Sequence, residues 1–133
     1  MEDGLTIAQM TEASGTSAHT LRYYEREGLL QAIERNTGGH RRYRSDDLAA
    51  LTFIGYMRAT GMGIAALREY MRLTRIGNAT VERRRAMLLA HRERVIARRA
   101  ELDACLEIID RKIAIFEEVA GPLHENKGEK KER

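Results

Sequence analysis

The sequence predicts a mostly helical fold: a winged helix-turn-helix with a small β-hairpin wing, followed by one long coiled-coil helix. Three observations carry this. Two short helical patterns flank a Gly-centred turn at Ser14-Gly15-Thr16. A Gly38-Gly39 pair sits in a polar, arginine-rich stretch that lacks helical period. From Thr80 to Ala120 no Gly or Pro interrupts the chain, and Leu88, Val95, Leu102, Ile109 and Phe116 recur every seventh residue.

The first helix is expected from about Ile7 to Ala13. Thr6 and Gln9 have the spacing of a capping box, and Ile7, Met10 and Ala13 form the buried stripe. Ser17 or Thr16 caps the second helix, which runs toward Gly28, a residue suited to the left-handed end of a helix. Leu21 and Tyr24 point inward. Ser17, His19, Thr20, Arg22 and Tyr23 place hydrogen-bonding groups at the exposed end or face. Arg22 is a fork donor that fits guanine edges or phosphate. Such a helix reads as a nucleic-acid recognition helix when it follows a helix and a tight turn.

After Gly28 the pattern changes. Ile33 and Tyr43 flank the polar tip from Glu34 to Arg42, and Arg41, Arg42 and Arg44 cluster past the two glycines. A hairpin tipped with arginine beside a helix-turn-helix is a wing. Ser45 is expected to cap the third helix, with Asp46 and Asp47 at its positive end. Leu48, Leu51, Ile54 and Met57 bury one side of it. Thr60-Gly61-Met62-Gly63 forms a turn, and a fourth helix carries Ile64, Leu67 and Met71 to about Leu73.

Thr80 is expected to cap the long helix. About 38 residues at ~1.5 Å each give ~60 Å. Leu106, Ile113 and Ala120 fall four after three of the heptad positions, so the seam is strongest in the second half. Arg85, Arg92 and Arg99 occupy the matching places in the first half and point to a polar contact there. A lone helix with one apolar seam must bury it, and a second copy is the expected cover. The seam is Leu88, Val95, Leu102, Leu106, Ile109, Ile113 and Phe116. The expected domains are 4–75 for the winged helix-turn-helix, 79–118 for the dimerisation helix and 121–133 for a charged, disordered tail.

Composition bounds the function. Charged residues make up 32% and hydrophobic ones 43%, and 23 Lys+Arg against 20 Asp+Glu leave a net charge of +3. The placement of the arginines therefore says more about an anionic partner than the total. No apolar run is long enough to span a bilayer, and the N-terminus has no basic-then-apolar signal. The cytoplasm is the expected place, with no membrane partner. One cysteine, Cys105, excludes an internal disulfide framework. The four histidines are scattered. No metal cluster, Gly-rich phosphate loop or nucleophile–His–acid set is present, so no enzyme and no cofactor are expected.

Leu5-Thr6-Ile7-Ala8-Gln9, the run from Thr20 to Leu29, Gly38-Gly39-His40-Arg41-Arg42-Tyr43 and the heptad helix together resemble the MerR family of bacterial transcription regulators, over about residues 4 to 118. The resemblance implies a homodimer joined by an antiparallel coiled coil. It implies two winged helices on a pseudo-palindromic operator in double-stranded promoter DNA. Effector binding would bend and untwist that DNA so that RNA polymerase can use the promoter, which makes the protein a repressor or an activator. The residues matching the family's DNA contacts are Ser17, Thr20, Arg22, Tyr23, Arg41, Arg42, Tyr43 and Arg58. Glu25 is expected to orient Arg22 or Arg26.

The effector is less legible. Metal-sensing relatives use at least two cysteines, at the start of the long helix and in a loop past its end; here Thr80, Val81 and Gly121-Pro122-Leu123-His124 occupy those places, so no metal is expected. The short chain resembles the branch that answers aldehydes and other electrophiles. In several members of that branch the reactive cysteine lies in the third helix, and this chain has Tyr56 there. Cys105 is read as a small packing residue beside the seam, with a thiol sensor as the alternative. An architectural or excisionase-like winged-helix DNA binder is the alternative function; it would share the first 75 residues and need no long helix.

Overall fold

The computed structural model describes residues 4–30, 34–35, 38–39 and 41–121, with Glu34, Arg35 and Arg41 described by their backbone. The expectations for Ile33, His40, Leu123 and the tail from 122 lie outside the described residues. The chain forms two units, which meet in sequence between His91 and Arg92.

Helix α1 (Ile7–Ser14) starts as its sequence demands. The Thr6 amide donates to Gln9 Oε1 at 2.8 Å, and the Gln9 amide donates to Thr6 Oγ1 at 3.1 Å. These two bonds satisfy donors that a helix start leaves open. Gly15 ends α1 in the left-handed region at φ 74°. Helix α2 (Ala18–Arg26) follows at once, and Ser17 is its cap. Strands β1 (Glu34–Arg35) and β2 (Arg41–Arg42) pair antiparallel, Glu34 opposite Arg42 and Arg35 opposite Arg41. The N-terminal segment extends this hairpin, a pairing no sequence pattern announced. Leu5 and Tyr43 exchange both backbone bonds, at 2.7 and 2.8 Å. Gly4, at φ 68°, lies so close that a side chain there would collide with the Tyr43 carbonyl.

Helix α3 spans Ser45–Ala59 and α4 spans Ile64–Ile76, one turn past the expected Leu73. Ser45 is not the cap of α3. Arg44 holds that position, and its amide donates to the Asp47 carboxylate at 2.8 Å. An acid at the third helical position thus replaces the serine hydroxyl and also faces the positive end of the helix. A short 3₁₀ turn, Asn78–Thr80, leads into α5 (Val81–Ala120). Thr80 is likewise no ordinary cap. Its hydroxyl oxygen lies 2.7 Å from the Leu73 carbonyl and 2.8 Å from the Gly77 carbonyl, and its one proton, shared between them, ties the end of α4 to the start of α5.

The core of the first unit joins all these elements. Met10, Leu21, Tyr43, Ile54 and Leu67 are fully buried in it, with Leu29, Leu30, Leu51, Met62 and Met71 nearly so. Each such side chain contributes about 1.5–3 kcal/mol by leaving water. Leu88, expected on the dimer seam, packs partly buried against this core. The first turns of α5 therefore belong to the packing of the first unit. Among the described residues no helix is long and apolar enough to cross a membrane.

Candidate nucleic-acid interface

The site begins at the α1–α2 turn. The Ser14 hydroxyl donates to the Met10 carbonyl and accepts the Thr16 amide at 3.1 Å, which fixes the entry to Ser17. Ser17 Oγ accepts the Thr20 amide at 3.1 Å and donates to Thr20 Oγ1 at 3.0 Å. The two hydroxyls form a polar pair at the positive end of α2. Leu21 anchors the helix at 0% exposure, and Tyr24 packs partly buried on the core. Arg22 is exposed on the outer face. Tyr23 is half-buried between neighbours: its ring centroid is 6.0 Å from that of Tyr24, and the Arg26 guanidinium sits 5.9 Å above it. Tyr23 is thus partly covered by its helix neighbours, and Arg26 joins Arg22 as an exposed cation of α2.

The far end of α2 is clamped by α4. Arg68 Nε donates to the Glu27 carbonyl at 2.7 Å, and its Nη2 pairs with the Glu27 carboxylate. Arg75, seven residues on and so on the same face of α4, reaches the Gly28 carbonyl at 3.5 Å. Sequence reading missed both. Their seven-residue spacing was visible, but only the fold shows that helix α2 ends opposite them.

The wing is tied to α2 by Tyr43. This residue was expected at the DNA surface. Instead its ring is fully buried, and its hydroxyl donates to the Glu25 carboxylate. The reason is position: Tyr43 is paired on both sides to Leu5 and closes the base of the hairpin over the core. Glu25, expected to orient Arg22 or Arg26, receives this hydroxyl. Arg42 on β2 is partly exposed and Arg44 is exposed. The Arg41 side chain lies outside the described atoms, though its backbone sits in β2. Arg58 is exposed near the end of α3, where Nη1 donates to the Met62 carbonyl at 2.9 Å and closes the Thr60–Gly63 turn.

The second unit carries the rest of the expected seam. Val95 is partly buried; Leu102, Leu106, Ile109, Ile113 and Phe116 are each between 40% and 61% exposed. Ile108, Ile115 and Val119 are exposed as well, so the apolar arc is wider than the heptad count alone suggested. Cys105 is exposed beside it. Arg85 and Arg92 approach Glu82 at 3.7 Å and Glu93 at 3.9 Å on their own helix. Among the described residues no group of three or more His, Cys, Asp and Glu is placed to hold a metal.

Comparison with known proteins agrees with this arrangement. Residues 5–74 match the family model described as MerR HTH family regulatory protein, and 48–114 match the one described as MerR, DNA binding. The chain is 33% identical over 112 residues to an uncharacterized HTH-type transcriptional regulator of Haemophilus influenzae, covering 84% of this chain and 83% of that one. It is 42% identical over 92 residues to the HTH-type transcriptional regulator AdhR of Bacillus subtilis, covering 69% of this chain and 66% of AdhR. Among solved structures it is similar to HiNmlR, a MerR family regulator lacking the sensor domain, bound to promoter DNA. The TM-score is 0.78 at 32% identity, over 87% of this chain and 94% of that one. The chain thus belongs to the MerR family of helix-turn-helix regulators and is a DNA-binding transcription regulator.

Proposed function

We propose that two copies of the chain, joined through α5, bind a pseudo-palindromic operator in a promoter and activate or repress by bending and untwisting it in response to a small effector. The observation that carries this reading is the pairing of two surfaces. One is α2, with Arg22 and Arg26 exposed along it and the Ser17–Thr20 hydroxyl pair at its start. The other is the exposed apolar arc of α5, which a single chain leaves in water. Helix α2 enters the major groove, and Arg41 and Arg42 of the wing hold the phosphates beside it. The two-fold axis of the coiled coil then sets the two half-sites. RNA polymerase meets the complex through the reshaped promoter, and the cytoplasm is the compartment that holds both. The likeness to HiNmlR, a MerR family regulator bound to promoter DNA, supports the reading.

Fluorescence anisotropy tests it. The protein is titrated against a duplex from its own upstream promoter and against a scrambled duplex, over a range of salt. Tight, salt-dependent and sequence-selective binding is expected, with Arg41→Ala weakening both duplexes and flattening the salt slope by about one unit. Equal affinity for the two duplexes, or an unchanged slope, contradicts the assignment.

A further inference from the structure

The first unit holds a cavity of about 560 Å³, lined by none of the α2 residues Arg22, Tyr23 and Arg26. We infer that this cavity is the effector site and takes a small amphipathic organic anion: a carboxylate on an aromatic or aliphatic body. The inference rests on the regulator reading above and names the ligand class it left open. The volume falls within the range of small-molecule pockets, about 300–1,000 Å³. Its floor is apolar. Leu29 and Leu30 enter from the segment after α2, Phe53 from α3, and Tyr70 and Met71 from α4. The Phe53 and Tyr70 rings stack with centroids 5.0 Å apart, which gives a flat wall for a ring or chain.

The rim is cationic. Arg44, Arg75 and Arg84 line it. Arg84 is held in place, with Nε on Thr80 Oγ1 at 2.9 Å and Nη2 on the Gly77 carbonyl at 3.1 Å. Among the described residues its remaining N–H groups have no acceptor, and Arg75 has one bond, to the Gly28 carbonyl. Two acids also line the cavity, against three arginines, so the lining keeps a formal charge of +1. Asp47 is buried and engaged by the Arg44 amide at 2.8 Å, with the Arg44 guanidinium 3.9 Å away. Asp46 is exposed in the first turn of α3. Preoriented guanidinium groups above an apolar floor match a carboxylate with a hydrophobic body. A DNA phosphate would use the arginines and leave the floor empty, so the surface fits the small anion better.

Position gives the site its consequence. Arg75 bonds the end of α2 at Gly28, and Arg84 bonds the junction of α4 and α5 through Thr80. An anion drawing these two side chains toward itself acts on the end of the recognition helix and on the root of α5 together.

Isothermal titration calorimetry of the full chain without DNA tests the inference, with naphthoate as probe and naphthylmethanol as its uncharged counterpart. Naphthoate is expected to bind once per chain and about tenfold or more tighter than the alcohol. Arg75→Gln is expected to remove about that factor, and Ala50→Phe, which fills the cavity, to abolish binding. Circular dichroism and urea unfolding of the variants confirm that each is folded. Equal affinity for acid and alcohol, or wild-type affinity in both variants, overturns the proposal. So does binding lost only in Leu106→Glu, which would place the probe on the apolar arc. Because the titration contains no DNA, its failure leaves the regulator reading standing, while failure of promoter binding leaves the titration interpretable.

Discussion

His91 Nε2 lies 2.9 Å from the Thr60 hydroxyl oxygen, joining α5 to the end of α3 across 31 positions of sequence. The hydroxyl has one proton, and its oxygen lies 2.8 Å from the Tyr56 carbonyl, to which it donates. The imidazole therefore donates from Nε2, and Nδ1 is left buried with no partner among the described residues. Thr60→Val removes the acceptor and strands a second nitrogen. It is expected to cost about 1–2 kcal/mol. Thr60→Val combined with His91→Leu takes away both polar groups and is expected to recover most of that loss. Urea unfolding at fixed protein concentration checks the pair; equal losses in the single and double variants would exclude the coupling.

Arg68 clamps the C-terminal end of α2 through the carbonyl and the carboxylate of Glu27. Its side chain is 46% exposed, so the ion pair itself is worth little, and the bond to the helix-end carbonyl matters more. Arg68→Ala is expected to lower stability by about 1 kcal/mol and to weaken operator binding. The salt slope is expected to stay at the wild-type value, because no phosphate contact is lost. A slope reduced by about one unit would instead place Arg68 on the DNA.

Leu88 and Leu106 share the heptad expectation and differ in place. Leu88 packs on the core of its own unit; Leu106 is 54% exposed. Leu88→Ala is expected to cost about 1–2 kcal/mol of stability, less than full burial would give, and to leave the dimer intact. Leu106→Glu is expected to yield monomers that keep their helical content. Analytical ultracentrifugation separates the two outcomes, and a dimeric Leu106→Glu would sink the seam.

Glu69 links α4 to the first turn of α5. Its carboxylate takes Arg72 Nε at 3.0 Å and Nη2 at 2.8 Å, and Arg83 Nη2 at 3.1 Å. The hydrogen bond from Arg72 holds its carboxyl below the ordinary value of 4.5. Partial burial opposes this, and the charges of Arg72 and Arg83 add to it. A carboxyl lowered in the folded state stabilises above its unfolded value, and that contribution fades as pH falls through the folded one. The stability difference between wild type and Glu69→Gln is thus expected at neutral pH and to shrink as pH falls below 4.5. A difference that grows with acid would reverse the assignment.

Local chemistry made much of this legible. Thr6 with Gln9, Ser17, Gly15 and the heptad residues are short-range signals, each acting within one or two turns of its own helix. The corrections come from contacts distant in sequence. Tyr43 reads as a wing residue because it sits among arginines, yet its pairing with Leu5, 38 positions earlier, turns its ring inward. Leu88 fits the heptad, yet the core of the first unit reaches α5 before any partner does. Arg68 and Arg75 look like solvated charges until α2 is placed against α4. The arginine-rimmed cavity has no sequence signature, since it draws on α3, α4, α5 and the segment after α2 at once.

The central claim is that a dimer grips and deforms promoter DNA. The most direct measurement is resonance energy transfer between the two ends of a duplex from the upstream promoter, titrated with the protein and read together with binding stoichiometry. The account predicts two chains per duplex, ends that draw closer on binding, and loss of both effects in Leu106→Glu. One chain per duplex, or saturated binding that leaves the end-to-end distance unchanged, would contradict it.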